Sequence, residues 1–551
     1  MDMTSSQDKA GPPASLEPAS LEPMSLEDDP KGEVEIELKL TTSLKNLSKL
    51  LTQLSTSSEA VKSSRKTTRI VSTYFDTPDR RLRNRGLTLR VRQKNGKRVQ
   101  TVKSAGTESA GMFARQEWTT PLEGKKPDLS AIESASVRNR MGLILPQELS
   151  PLFKTDVKRT TLIIDHTTAL GKTAQIELAF DQGRIVAGKK TDPISELELE
   201  LMSGSPKALL DLAAVISKIA PTVLNLHSKV SRGFDLCYGT HPQAVMAPKI
   251  KLPNSASVEE AIVQILKSSH GQLLANRSAA ALGQDIEGVH QARVALRRIR
   301  SALSVFKEYL TCPDAEKIKT ETRWLIDVLG GARDLDVFID EVLPAVKKDR
   351  PEDSDLAAVL MTSETARTAA YRKVKTALTS RRYTDAMLAT AAWIENRAWR
   401  EQGSTHDLDA PIKDVSCKLL AKRHRKVMKL GKDFKDLSTD QRHEVRIALK
   451  KVRYTAEFFS DLYPSALTRP YISAMRGLQN ALGALNDVAT AETLTATLIA
   501  NAKTGTKQSD SLTMGVGKVL GWHTRAATDA NENVVELWTE FAKSQPFWLP
   551  A

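Results

Sequence analysis

The strongest constraint in this 551-residue chain is a pair of short segments that alternate carboxylates with aliphatic side chains. At residues 33–40, a two-residue period puts Glu35, Glu37 and Lys39 on one face and Val34, Ile36, Leu38 and Leu40 on the other. Residues 195–202 repeat the pattern, with Glu196, Glu198 and Glu200 opposite Leu197, Leu199 and Leu201. Carboxylates crowded on one face of a strand repel each other unless cations stand nearby. Such cations alternate in the same way elsewhere: Arg90 and Arg92 lie opposite Leu89 and Val91, Lys103 is in phase with Thr101, and Arg115 with Glu117. Glu177 and Asp181 share a phase on a further segment. Any one of these strands is explained by an antiparallel sheet with one wet face. Acidic and basic strands together suit a closed barrel, with carboxylates on some inner walls and Arg/Lys on others. Hard divalent cations take carboxylate oxygens, and phosphate oxygens take guanidinium and ammonium groups.

The period of the chain changes along its length. Residues 1–31 are acidic and proline-rich, with Ser-Leu-Glu recurring at Ser15, Ser20 and Ser25, and read as a disordered tail. Residues 32–239 carry about eight strand-like segments, at 33–40, 69–76, 87–92, 98–103, 115–120, 158–164, 174–180 and 195–202. Helical patterns in this region are fewer, near 43–54, 128–141 and 206–219. Residues 240–255 form a proline-containing linker, and 256–545 read as helical almost throughout. The fold expected from these periods is α+β: about eight strands with a few helices, then an all-α domain.

The tunnel segments carry a family resemblance. Glu35-Ile-Glu37-Leu-Lys39 is an ExExK motif, and Tyr74-Phe75-Asp76-Thr77, Arg90-Val-Arg92, Thr101-Val-Lys103, Arg115-Gln-Glu117, Arg159, Glu198-Leu-Glu200 and Ser228-Lys229 with Arg232 follow in order. The series resembles the CYTH superfamily, the triphosphate tunnel metalloenzymes, which implies an eight-stranded antiparallel β-tunnel with a charged interior that hydrolyses or cyclises triphosphates. The resemblance implies that Lys39, Arg90, Arg92, Lys103, Arg159 and Lys229 clasp a phosphate chain. It implies that Glu35, Glu37, Glu198 and Glu200 hold Mg2+ or Mn2+. Glu177 and Asp181 both have the phase of the remaining acidic ligand, and the sequence does not choose between them. Glu196 extends the acidic run without an evident role. Read without the family, Arg159 is a surface partner of Asp156 or Asp165, and Lys229 an exposed helix-end lysine.

The helical part contains a repeat. An offset of 153 residues maps His290 to His443, Arg323 to Arg476, Gly330 to Gly483 and Asp334 to Asp487, pairing Arg333-Asp334 with Asn486-Asp487. On a helix, His290, Arg293, Arg297 and Arg300 share one face, as do His443, Arg446, Lys450 and Arg453. The opposite faces are apolar. A solvated face is the ordinary reading of one such helix. Like charges three and four apart cost a few tenths of a kcal/mol per pair, so two copies argue for a bound anion. Further basic text stands at Arg381-Arg382 and at residues 422–426. The pattern resembles the CHAD domain, which implies two pseudo-symmetric helical bundles binding inorganic polyphosphate through these residues and Arg333. Neither histidine has a metal-ligand partner at usable spacing.

Charge and composition bound the function. The net charge is +14, with −5 in residues 1–31, +13 in 32–254 and +6 in 255–551. A basic chain seeks anions. Aromatic residues are only 5%, and no DNA-reading motif appears, which disfavours a nucleic-acid partner. No apolar run approaches the ~20 residues of a membrane span. No secretory signal is visible, and three widely spaced cysteines fit a reducing cytosol. Taken with the two resemblances, the chain is expected to be a cytoplasmic, metal-dependent inorganic triphosphatase with a polyphosphate-binding helical domain. Its rivals are hydrolysis of a nucleoside or thiamine triphosphate, cyclisation of ATP, and polyphosphate binding without catalysis.

Overall fold

The computed structural model describes residues 33–109, 111–168, 171–401, 406–502 and 505–549. The expected tail at 1–31 lies outside the described residues, as do the side chains of Asn486 and Asp487. Ten strands occupy the N-terminal part: β1 (Glu33–Thr41), β2 (Lys66–Asp76), β3 (Leu87–Lys94), β4 (Lys97–Ser104), β5 (Thr107–Ser109), β6 (Met112–Leu122), β7 (Ser150–Thr167), β8 (Thr173–Ala187), β9 (Lys190–Ser203) and β10 (Val223–Leu224). Eight of them close a ring in the order β1-β9-β8-β7-β2-β3-β4-β6, which returns to β1 through antiparallel β1–β6 pairing. Each of the eight expected segments lies within one strand of this ring. β5 and β10 are short additions to β6 and β1.

Alternation decides which face is which. Leu38, Leu40, Leu197, Leu199, Leu178 and Phe180 point outward into a buried core with helices 44–55 and 207–219. Leu89, Val91 and Val102 point outward under Val137 and Met141 of helix 135–141. Helix 128–141, expected as one element, is a 3-10 turn at Leu129–Ala131 followed by a helix at Ala135–Met141, each started by its own side-chain cap, Asp128 and Ser134. With aliphatic faces covered outside, the charged faces have only the lumen left.

Helix Lys229–Tyr238 lies against β7, β8 and β9 and reaches into the lumen. Ser228 caps it by accepting from the Ser231 N–H at 3.2 Å. Its Phe234 meets Phe153 edge-on at 5.4 Å, and Phe153 stacks on Tyr74 at 4.6 Å. The contact is so close at Gly233 that a Cβ there would stand 2.1 Å from the Phe153 ring.

The chain then runs through 240–257 with almost no regular structure, pinned where Asn276 bonds both the N–H and the C=O of Val245 at 2.8 Å. Beyond it, four helices begin at residues 258, 287, 313 and 354, and four more at 412, 439, 465 and 507. Corresponding starts are 152–154 residues apart, so the duplication read from one motif extends to the whole helical framework. Helix Arg381–Asn396 stands between the two sets and packs on helix 207–219 of the barrel. There Thr384 donates to the Thr222 C=O at 2.6 Å, and Ser217 to Asp385 at 2.8 Å. Among the described residues no helix is long and apolar enough to cross a membrane.

Gly233→Ala is expected to destabilise the barrel by about 1–3 kcal/mol, because the ring and helix must part to admit the methyl group. A thermal transition unchanged from wild type would contradict this packing.

Candidate active site: a tunnel with two uncompensated poles

The lumen is a cavity of about 900 Å3, lined by all twelve tunnel residues singled out from sequence. Its charges are segregated. β1, β9 and β8 are neighbours, so their inward carboxylates form one wall: Glu37 is paired in register with Glu200, and Glu200 with Glu177. Arg159 on β7, Arg90 and Arg92 on β3 and Lys103 on β4 stand on the remaining strands.

Most of these charges have partners. Arg159 grips Asp181 through two bonds of 2.7 and 2.6 Å, and its Nη2 also meets Glu198 at 2.5 Å. Lys229 enters from the helix and meets Asp181 at 2.6 Å, Glu198 at 2.9 Å, and Glu196. A lysine at a helix N-terminus is disfavoured by the helix dipole, and these three carboxylates offset that. Lys39 bridges Glu198 at 2.8 Å and Glu37 at 3.0 Å. Lys103 bridges Glu35 and Glu117, both at 2.5 Å, and Arg90 joins Glu117 at 3.1 Å. Burial alone would raise Glu117, but Arg90 and Lys103 outweigh it and bring the carboxyl down to about 2.

Two places are left over. Among the described residues, Glu177 and Glu200 form neither an ion pair nor a hydrogen bond. Burial, and then the surrounding Glu35, Glu177, Glu198 and Glu37, push Glu200 up to about 7. On the other wall, Arg92 has no carboxylate within ion-pair distance and only a long bond to Ser72 Oγ, 3.4 Å. Burial and then Arg90 and Arg159 bring it down to about 10. Both shifts arise because neither charge is offset by an opposite charge within the chain.

The tightest acidic group is a different one. Asp181, Glu196 and Glu198 have oxygens within 4.8 Å of one another and are all buried. Lys229 touches all three and Arg159 two of them, so this trio is already neutralised. Asp181 is thereby an ion-pair partner, and of the two acids the sequence left open, Glu177 is the one without a cation. Arg159 and Lys229 pair within the tunnel, while Asp156 binds Arg69 at the surface at 2.7 Å. Glu196 holds Lys229 and lies 3.9 Å from Arg232, which itself pairs with Asp192 at 2.7 Å. Asp76 of the Tyr-Phe-Asp-Thr run faces away from the lumen and accepts the N–H groups of Thr77, Leu82 and Arg83, fixing the turn after β2. Tyr74, Arg115 and Glu117 line the lumen, as do Lys66 and Lys94, which the sequence reading passed over. Both lysines are in phase with inward residues of their own strands, a signal that was there to be used.

In the helical part, His290, Arg293, Arg297 and Arg300 are half-buried along helix Glu287–Val305, above buried Ala292, Ala295, Leu296 and Ile299. Arg446, Lys450 and Arg453 repeat this on helix Thr439–Phe459, with His443 exposed. The two stripes adjoin: Arg297 Nε donates to Tyr454 Oη at 3.0 Å. Burial, then Lys426, Arg423 and Arg300, push Lys451 down, which places three basic segments together. Burial, with Arg333, Arg297 and Arg293 outweighing Glu287, brings His290 down to about 4, so it is neutral at pH 7. Arg333 and Arg453 are partly occupied by Glu341 at 3.2 Å and Glu457 at 2.8 Å. Other basic residues are taken up by contacts of their own. His424 bonds Tyr471 Oη at 2.8 Å among aromatic rings, Arg382 pairs with Glu321 at 2.7 Å, and Arg381 with Asp385 at 3.3 Å.

Known proteins agree with this architecture. Residues 33–234 match the CYTH domain and residues 264–496 the CHAD domain. The chain thus carries a CYTH domain followed by a CHAD domain. It is 33% identical over 168 residues to an inorganic triphosphatase of Haemophilus influenzae; the match covers 30% of this chain and 44% of that protein's length. It is 25% identical over 425 residues to an uncharacterised protein of Mycobacterium tuberculosis, covering 71% of this chain and 76% of that one. The crystal structure of the CHAD domain from the plant Ricinus communis covers 55% of this chain and 97% of its own, at 28% identity and a TM-score of 0.48.

The raised Glu200 carboxyl gives a pH test. Its folded pKa lies above its unfolded one, so the site is least costly when Glu200 is protonated, and destabilisation develops as pH rises through about 7. Without divalent metal, Glu200→Gln should stabilise the chain above that pH by about 1–2 kcal/mol after discounting for solvent screening, and have little effect near pH 5. Equal thermal shifts at pH 5 and 8.5 would refute the assignment.

Proposed function

We propose that the tunnel is a metal-dependent inorganic triphosphatase site that cleaves tripolyphosphate to diphosphate and phosphate. The observation that carries this reading is the opposition, across one lumen, of unpartnered Glu177 and Glu200 to unpartnered Arg92. The acidic pole fits a hard divalent cation, because Glu177 and Glu200 offer carboxylate oxygens with no ammonium group on them, while Glu37 and Glu35 beside them are each shared with one lysine. Glu200, Glu177, Glu37 and Glu35 would hold Mg2+ or Mn2+, with Glu198 and Asp181 behind them held by Lys39, Arg159 and Lys229. Bound there, the ion would supply charge neutralisation for the phosphates and a more acidic water.

The remaining work falls to the chain's own side chains. Arg92 and Arg90 present planar forks that match phosphate oxygens two at a time. Lys103, Arg159, Lys229 and Lys39 are held in place by carboxylates, which fixes where along the lumen a substrate would meet them. Rigid cations around a phosphate chain favour the spread charge of phosphoryl transfer. The 33% identity to an inorganic triphosphatase supports the same substrate class.

Phosphate release from tripolyphosphate, ATP and thiamine triphosphate, with Mg2+ or Mn2+ and with chelator, tests the reading. Tripolyphosphate is expected to be hydrolysed fastest, and only with metal. Glu37→Gln should abolish turnover while the fold persists. Arg90→Lys or Arg92→Lys should lower triphosphate affinity tenfold or more, as expected when a charge-assisted fork of about 1.5–3 kcal/mol is lost. Full turnover with chelator present would sink the metal site, and preference for ATP would sink the substrate.

We further infer that the joined basic stripes of the helical region bind inorganic polyphosphate. Their half-buried cations lie along two adjoining helices, a spacing suited to a long repeating anion. Binding by the full chain should weaken steeply with salt as counterions are released. Arg293→Gln with Lys450→Gln should weaken long-chain polyphosphate binding and spare tripolyphosphate hydrolysis. Equal binding of duplex DNA would remove the assignment.

A further inference from the structure

Where the barrel meets the helical region there is a second cavity, of about 850 Å3, which shares no lining residue with the tunnel. That volume falls in the range of small-molecule sites. Its wall is mainly apolar and is drawn from the start of helix 44–55, the turn and helix at 225–239 and the end of helix 258–282.

The charges in it do not balance. His227 Nε2 is paired with Asp235 at 2.9 Å, and Arg232 with Asp192 at 2.7 Å. Arg277 has no such partner: its Nη2 donates to Asn225 Oδ1 at 2.9 Å and to Ser278 Oγ at 3.3 Å, both neutral acceptors. Burial pushes this guanidinium down from the ordinary arginine range. Lys190, exposed at the rim beside Gly239, also forms no ion pair among the described residues. The acceptors around Arg277 are committed as well, because Asn225 Oδ1 takes the His227 N–H at 3.2 Å. Arg277 is half-buried and held only by neutral acceptors, so it has given up part of its hydration without gaining a carboxylate, at a cost to the fold. An anion in the cavity would remove that cost.

We propose that this inter-domain cleft is a second ligand site, separate from the tunnel, for a small organic phosphate. The phosphate meets Arg277, with Lys190 adding attraction at the rim. The organic body lies against Leu44, Leu236 and Leu282. Inorganic phosphate alone would leave that apolar wall uncovered, and an uncharged body would leave Arg277 unpaired.

Calorimetry on the full chain with chelator present tests this, using adenosine 5′-monophosphate as the probe and adenosine and inorganic phosphate as its two halves. The nucleotide is expected to bind, and each half to bind at least tenfold more weakly. Arg277→Gln should weaken the nucleotide tenfold or more, the loss expected of a charge-assisted contact. Arg92→Gln, in the tunnel, should leave that affinity unchanged. Leu282→Glu, at an exposed rim position, should abolish binding by repulsion and decides the matter if Arg277→Gln does not fold. The proposal is overturned by a dissociation constant above about 1 mM for the nucleotide, by a smaller loss in Arg277→Gln, or by loss of binding in Arg92→Gln. Equal binding of inorganic phosphate would overturn the organic body.

Discussion

Closure of the ring through β1 and β6 is the constraint on which the rest of this molecule depends. An open sheet with these sequences would offer its charged face to water, where ion pairs are weak and screened. Closing it forces carboxylates, arginines and lysines into one lumen of low effective dielectric. There each charge must find a partner, shift its protonation or await a ligand. The covered aliphatic faces outside leave no alternative, since turning a strand by one residue would exchange every leucine for a glutamate.

Inside, the balance is organised by a few bridging cations. Lys229 and Arg159 together hold Asp181, Glu196 and Glu198, and Lys39 joins Glu198 to Glu37. These contacts are strong because they are buried and multiple, and they set the positions of groups that remain unpaired. What remains at Glu177 and Glu200 on one wall and at Arg92 on the other is a polarity across the lumen. That polarity gives the site its chemistry: a cation pole facing an anion pole, with the rest of the wall preorganised around them.

The helical part follows the same physics in a more open form. Its buried stripe fixes two equivalent helices side by side, and the basic stripes they carry are brought together rather than dispersed. The junction with the barrel is made by Thr384, Asp385 and Arg277, none of which belongs to a basic stripe. The basic stripes thus lie on helices Glu287–Val305 and Thr439–Phe459, while the contact with the tunnel domain is made from helices Val258–Leu282 and Arg381–Asn396.

Period-two alternation, read along the chain, determined the eight tunnel strands, the face each turns inward and most of the lumen-lining charges that strands carry, though not Lys66 or Lys94, because side-chain direction in a strand is a local property. The offset of the histidine motif likewise disclosed the duplicated helical framework, since a repeat needs no partner to be recognised. Partnership was out of reach. Asp181 and Glu177 are equivalent in phase, and only the arrival of Lys229 from a distant helix and Arg159 from β7 neutralises one and leaves the other bare. The role of Glu196 depended on the same helix. His424 and Arg382 look like their basic neighbours in sequence, yet packing turned one toward Tyr471 and the other toward Glu321. Tertiary structure decided which charges are spent on the fold and which remain for a ligand, because that depends on distances between strands and helices far apart in the chain.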